Sequence, residues 1–124
     1  MAIISFDKDA VVDYIPSYGG NRNSEDPCVV RLKFVPYSKV QEYSRIIASR
    51  TKGISDASRV TELTQSVQRK QFVDNVESVK GYYIEQREVT EPHEVYDTAD
   101  TELVMEIIRA MESHWKLTEG QVKN

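Results

Sequence analysis

Few residues in this chain have types and spacing suited to chemistry. Cys28 is the one thiol, His93 and His114 are the two imidazoles, and YGGNRNSED at 18–26 forms a glycine-containing polar loop. Nucleophilic catalysis needs a nucleophile, a base and a group that orients the base. Cys28 falls on the inward face of an expected strand, where cysteine behaves as a small hydrophobe, and no serine sits in a nucleophile-elbow pattern. Neither histidine stands in an H-E-x-x-H run or beside paired cysteines, so no metal centre is expected. The acids Glu85, Glu88, Glu91 and Glu94 are spread over polar segments, without the apolar surroundings that raise one pKa for acid–base work. GGNRNSED lacks the lysine–hydroxyl pair of a phosphate loop and the G-x-G-x-x-G spacing of a dinucleotide fold. No strand-to-helix step follows it to offer a helix N-terminus to an anion. The expectation is a protein with no catalytic residues, cofactor or metal. YGGNR then reads as a strand connection, its glycines permitting positive φ and Arg22 anchoring to a nearby acid.

Composition narrows the class further. With 124 residues, 40% of them hydrophobic and 29% charged, the chain suits a single folded domain, expected over 1–117, with a flexible C-terminal tail at 118–124. The start MAIISFDKDA has neither a basic n-region nor an h-region, so no signal peptide is expected. No run approaches the roughly 20 apolar residues of a membrane span, and one cysteine cannot form an internal disulfide. A soluble protein of the cytoplasm is therefore expected. The net charge of −4 argues against a nucleic-acid surface, yet it conceals an asymmetry. Residues 39–70 carry seven bases against three acids, and residues 71–112 three bases against eleven acids. Such poles attract each other within one chain or between copies.

The elements that must position these groups follow from periodicity. Cys28, Val30, Leu32 and Phe34 alternate with Val29, Arg31 and Lys33, the pattern of a half-buried strand. Val12 and Tyr14 around Asp13 suit a partner strand, joined to it through Ser17–Pro27 in an N-terminal hairpin. A helix opens after Pro36, with Ser38 and Gln41 at capping-box spacing and Val40, Tyr43, Ile46 and Ile47 on its inner side; it stops near Lys52–Gly53. A second helix is expected from about Asp56 to Lys80, ended by Gly81. Its apolar residues change phase: Val60, Leu63 and Val67 share one face, while Phe72, Val73, Val76 and Val79 centre nearly opposite at ~100° per residue. The pattern excludes one straight helix with a single core stripe. A small second hairpin follows, Tyr82–Glu85 with Glu88–Val89 across Gln86-Arg87, then a short helix capped by Thr90 with Pro92 in its first turn. Asp100 caps the last helix, whose inner face is Leu103, Val104, Ile107, Ile108, Met111 and Trp115, with Glu102, Glu106, Arg109 and Ser113 facing away. The fold class is α+β, an N-terminal β-hairpin followed by three to four helices with a small second hairpin.

A domain of this size serves one core, so two opposed apolar faces on one helix imply a partner for one of them. The candidate contact surface is Val60, Leu63 and Val67 with the basic rim Arg59, Arg69 and Lys70. Two stretches, DYIPSYGGNR and CVVRLKFVPYSKVQEY, together resemble the N-terminal part of tail assembly chaperones of long-tailed bacteriophages and prophages. The later part, FVDNVESVKGYYIEQREVTEPHEVYDTADTELVMEIIRAMESHWKLTEGQVKN, is similar to the same family in its helix, hairpin, helix and tail; residues 50–70 lie outside the resemblance. The resemblance implies a non-enzymatic protein of the infected cell's cytoplasm that binds and solubilises the helical tape measure protein, with the tail tube protein as a further partner and homo-oligomerisation open. It carries over Gly20, Asn21 and Arg22 as a structural signature only. The alternatives are a structural tail or head–tail connector protein that stays in the virion, and a nucleic-acid-binding accessory protein.

Overall fold

A computed structural model describes residues 10–33 and 35–112. The expectations for Phe34, Ser113, His114, Trp115 and the tail at 118–124 therefore lie outside the described residues. Val11–Tyr14 (β1) and Val29–Lys33 (β2) pair antiparallel, with Val12 opposite Leu32 and Tyr14 opposite Val30. This register places the apolar set on one face, where Tyr14, Val30 and Leu32 are buried. On the other face Arg31 Nε donates to Asp13 Oδ1 at 2.9 Å, across a surface open to water. One dry and one wet face is the usual economy of an antiparallel sheet.

The first helix, Tyr37–Thr51 (α1), begins one residue before the expected cap. Pro36 is its N-cap, at φ −67 and ψ 156, and its carbonyl accepts from Lys39 N and Val40 N. Proline's ring holds that φ and makes Tyr37 the first helical residue. Ser38 thus falls inside the first turn, and no side chain caps this end. The second helix, Ala57–Asn75 (α2), starts one residue after the expected beginning at Asp56, which is its N-cap: the Asp56 carboxylate accepts from Ser58 N at 2.9 Å.

Beyond Asn75 the structure corrects the sequence reading. Val76–Lys80 is not helix but a third strand (β3), antiparallel to β2, giving the order β1-β2-β3. Arg31 opposes Ser78 while its neighbour Leu32 opposes Val76, so Glu77 is the extra residue of a β-bulge. The bulge brings Val76 and Val79, three residues apart, onto the same buried face. A separation of three is also the spacing of a helix face, which is why the strand reads as helix in the sequence. With β3 removed, α2 has one stripe after all. Val60, Leu63 and Thr64 are half-buried and Val67, Gln71 and Asn75 are buried, at intervals of three and four. The excluded single-stripe helix is thus the observed one, because two of its inward residues are polar amides. Both are satisfied: Gln71 Nε2 donates to Glu112 Oε2 at 2.8 Å, and Asn75 Nδ2 donates to Tyr43 Oη at 3.1 Å and to Gln71 O at 2.8 Å. Buried amides with partners carry little penalty.

The second hairpin is Tyr83–Ile84 (β4) with Arg87–Glu88 (β5), turning through Glu85-Gln86, one residue earlier than expected. The short helix Pro92–Thr98 (α3) has Glu91 rather than Thr90 as its N-cap, and no side chain bonds that end. The last helix, Thr101–Glu112 (α4), has Glu102 N donating to Asp100 Oδ1 at 2.8 Å. Leu103, Val104, Ile107, Ile108 and Met111 are buried as the spacing predicts, joined by Ala110. The core gathers these with Val30, Leu32, Val35, Phe72, Val76, Val79, Val89 and Val95. Helices on the dry face of an antiparallel sheet make this an α+β fold. No described helix is long and apolar enough to cross a membrane.

Candidate functional site

The loop that first suggested ligand binding is held entirely by its own chain. Tyr18–Asn23 forms a 3-10 segment in which Gly19 and Gly20 have φ of 59 and 75, conformations that a Cβ disfavours. Asn21 ties the loop to both strands: its Nδ2 donates to Pro16 O at 2.8 Å and Cys28 O at 3.0 Å, and its Oδ1 accepts from Cys28 N at 2.8 Å. One amide thereby replaces a rung of the β1–β2 ladder where the strands diverge. Three bonds at roughly 1 kcal/mol each lead us to expect Asn21→Ala to destabilise the fold by about 2–3 kcal/mol, read from urea unfolding.

Among the described residues Arg22 makes no ion pair with an acid, the anchor its type suggested. Its Nε donates to Ile15 O at 2.7 Å, its Nη2 to Tyr14 Oη at 3.3 Å, and its guanidinium lies 5.6 Å from the Tyr14 ring centroid. The acid at this loop is Glu106, which turns inward rather than away. It accepts from Tyr14 Oη at 2.6 Å, Ser17 N at 2.7 Å, Ser17 Oγ at 3.3 Å and Tyr18 N at 3.2 Å. An open depression is lined here by Tyr14, Ser17, Tyr18, Gly19, Arg22, Glu102, Glu106 and Arg109. Its central polar groups are spent on one another, so it works as a brace between loop and α4.

Burial, then the hydrogen bond to Glu106, pushes the Tyr14 phenol up to about 12, and burial pushes the Cys28 thiol up to about 11. Both groups favour their neutral forms in the fold. Their contribution is complete below the unfolded values of 10.0 and 9.0 and is lost as pH rises through the folded ones. Stability should therefore decline from about pH 9 to about pH 12, and Tyr14→Phe should flatten the part above pH 10. Denaturant midpoints across that range check it.

Cys28 lines a small apolar pocket of about 150 Å³ with Pro16, Tyr18, Asn21, Tyr82 and Leu103. Its thiol stays protonated at neutral pH and so is not activated as a nucleophile. His93 is exposed, and among the described residues no three of His, Cys, Asp and Glu converge to hold a metal ion.

The six residues expected to bind a partner are not brought together as a free surface. Val67 is 2% exposed and belongs to the interior, a correction to its assignment as a contact. Val60 and Leu63 are half-buried on the same stripe of α2, a helix that packs against α1, α3 and α4. The rim cations are already paired. Arg69 holds Asp97 with Nε and Nη2, both at 2.9 Å, Lys70 reaches Asp74 at 3.0 Å, and Arg59 reaches Glu62 at 3.3 Å. Covering α2 on several sides removes the need for an external partner that the phase change implied.

The surface left open is on α1. Of its fifteen residues only Tyr43 is buried; Ile46 and Ile47 are half-buried, as Val60 and Leu63 are on α2, and Tyr37 at its start is 70% exposed. Glu42, Arg45, Ile46, Ser49 and Arg50 line an open depression, at the three- and four-residue intervals of one helix stripe. The side chains of Arg45, Arg50 and Lys52 are exposed and make no ion pair among the described residues. By contrast, Arg22, Arg31, Arg59, Arg69, Arg87 and Arg109 are all engaged. The sequence held a signal for this. Arg59 and Lys70 have acids three and four residues ahead, whereas Arg50 has none within four positions on either side. Comparisons with protein-family models, curated proteins and solved structures return no match to this chain.

Proposed function

We propose that the protein is a non-enzymatic tail assembly chaperone of a long-tailed bacteriophage or prophage. In this reading it acts in the host cytoplasm, binding and shielding the helical tape measure protein until the tail tube forms around it. Two things support the reading. One is the likeness of residues 13–22, 28–43 and 72–124 to that family. The other, which carries the argument from the fold, is the exposure of α1. A helix in a globular protein draws most of its stability from a buried stripe, and α1 buries a single side chain, Tyr43. Its half-buried Ile46 and Ile47 and its exposed Tyr37 leave apolar surface to share with a second helix.

Co-expression with a tape measure protein tests the reading. The client should be soluble and co-purify only when this protein is present, and assembled particles should lack the protein by mass spectrometry. A client equally soluble alone overturns the chaperone role. Stoichiometric retention in particles assigns the protein instead to the tail or connector structure.

A further inference from the structure

We propose that the outer stripe of α1, Arg45, Ile46 and Arg50 with Lys52, docks an acidic amphipathic helix of the partner. The inference rests on the reading above that the partner is helical, and it moves the contact from α2 to α1. Charge is the first argument. Arg45, Arg50 and Lys52 are exposed and unpaired among the described residues, whereas every described arginine outside α1 is engaged within the chain. Glu42, the acid at the start of the stripe, is drawn 3.8 Å from Lys39 rather than toward the arginines. An uncompensated pair of guanidiniums matches carboxylates, which they bind through paired donors.

Shape is the second argument. Ile46 lies between the two arginines, half-buried, in the depression that Glu42, Ser49 and Arg50 also line. Ridges spaced by four on one helix accept the ridges of another. The complementary partner carries an apolar residue to seat on Ile46, with acids about one helical turn away on either side. A nucleic acid would use the cations but gain nothing from Ile46, and the chain's net charge of −4 would oppose it.

The test titrates the purified full chain with three labelled probes at low and high salt. They are a synthetic helix with glutamates flanking a leucine stripe, the same helix with lysines for glutamates, and random duplex DNA. The acidic helix should bind and the basic one should not. Arg45→Glu/Arg50→Glu should weaken binding about tenfold or more, and Ile46→Ser about threefold or more. Lys33→Glu/Lys80→Glu, an equal charge change on the sheet, should change it less than about twofold. Circular dichroism verifies that each variant is folded, and Arg45→Gln/Arg50→Gln replaces the reversal if it is not. Equal loss in both double variants, insensitivity to Ile46→Ser, or preferred binding of DNA overturns the docking surface. So does an α1-dependent dimer in sedimentation that excludes the peptide. Co-expression with the helical client separates the two proposals. A client still solubilised by Arg45→Glu/Arg50→Glu leaves the chaperone standing without this surface. Peptide binding that depends on Arg45 and Arg50, with no client solubilised by the unaltered chain, leaves the surface without the chaperone.

Discussion

Phe72→Ala is expected to lower the unfolding free energy by about 3–5 kcal/mol, a large part of the ~5–15 kcal/mol typical of a domain. Phe72 is 0% exposed and meets Tyr96 edge to face, ring centroids 5.3 Å apart. It sits where α2 gives way to β3, and Val76 N still donates to Phe72 O across that junction. Truncation removes apolar contacts shared by α2, α3 and the sheet, and the rigid junction cannot collapse to fill the space. Leu63→Ala gives the contrast. Leu63 is half-buried on the same helix, so its truncation should cost about 1 kcal/mol. Urea unfolding of the two variants with unchanged slope measures the difference. Equal losses would mean that α2 is buried evenly along its length.

The second large effect is expected at Gly81, where β3 ends. Its φ is +83, and a Cβ there would stand 3.0 Å from Cys28 Cα and 3.2 Å from Pro27 O. Both neighbours are backbone, so neither can rotate aside. The left-handed conformation costs about 1–2 kcal/mol for a residue with a Cβ, and the forced backbone shift about 1–3 kcal/mol more. Gly81→Ala should therefore destabilise by about 2–5 kcal/mol in sum. Gly20→Ala is the control: its φ is +75 but nothing lies within 4 Å of the added carbon, so only the conformational cost applies. Hydrogen exchange should locate the Gly81→Ala damage at the Val29–Lys80 end of the β2–β3 ladder. A loss spread evenly over the molecule would contradict a local clash.

The two variants also mark where sequence reading stops. Gly81 was legible as a terminator, but of a helix, because the β-bulge at Glu77 gives β3 an apolar spacing of three. Phe72 was legible as an apolar residue, but its side of α2 was misjudged because it was grouped with Val76 and Val79, which belong to β3. Of the candidate contact residues, Val67 is interior. Arg69 lies in a run of polar residues, and only the fold brings Asp97 to it from 28 positions away. Arg59–Glu62 and Lys70–Asp74, at i,i+3 and i,i+4, could have been read directly.

From the chain alone one could establish the β1–β2 alternation, the capping of α4 by Asp100, the buried face of α4, and the α+β class. Each depends on neighbours within a turn or a strand, where residue spacing alone dictates geometry. Tertiary structure decided that β3 joins the sheet, that Glu106 clasps Ser17 from 89 positions away, and that α2 buries four side chains where α1 buries only Tyr43. Those outcomes depend on which distant groups desolvate one another, and a buried amide looks the same as an exposed one until its partner is in place.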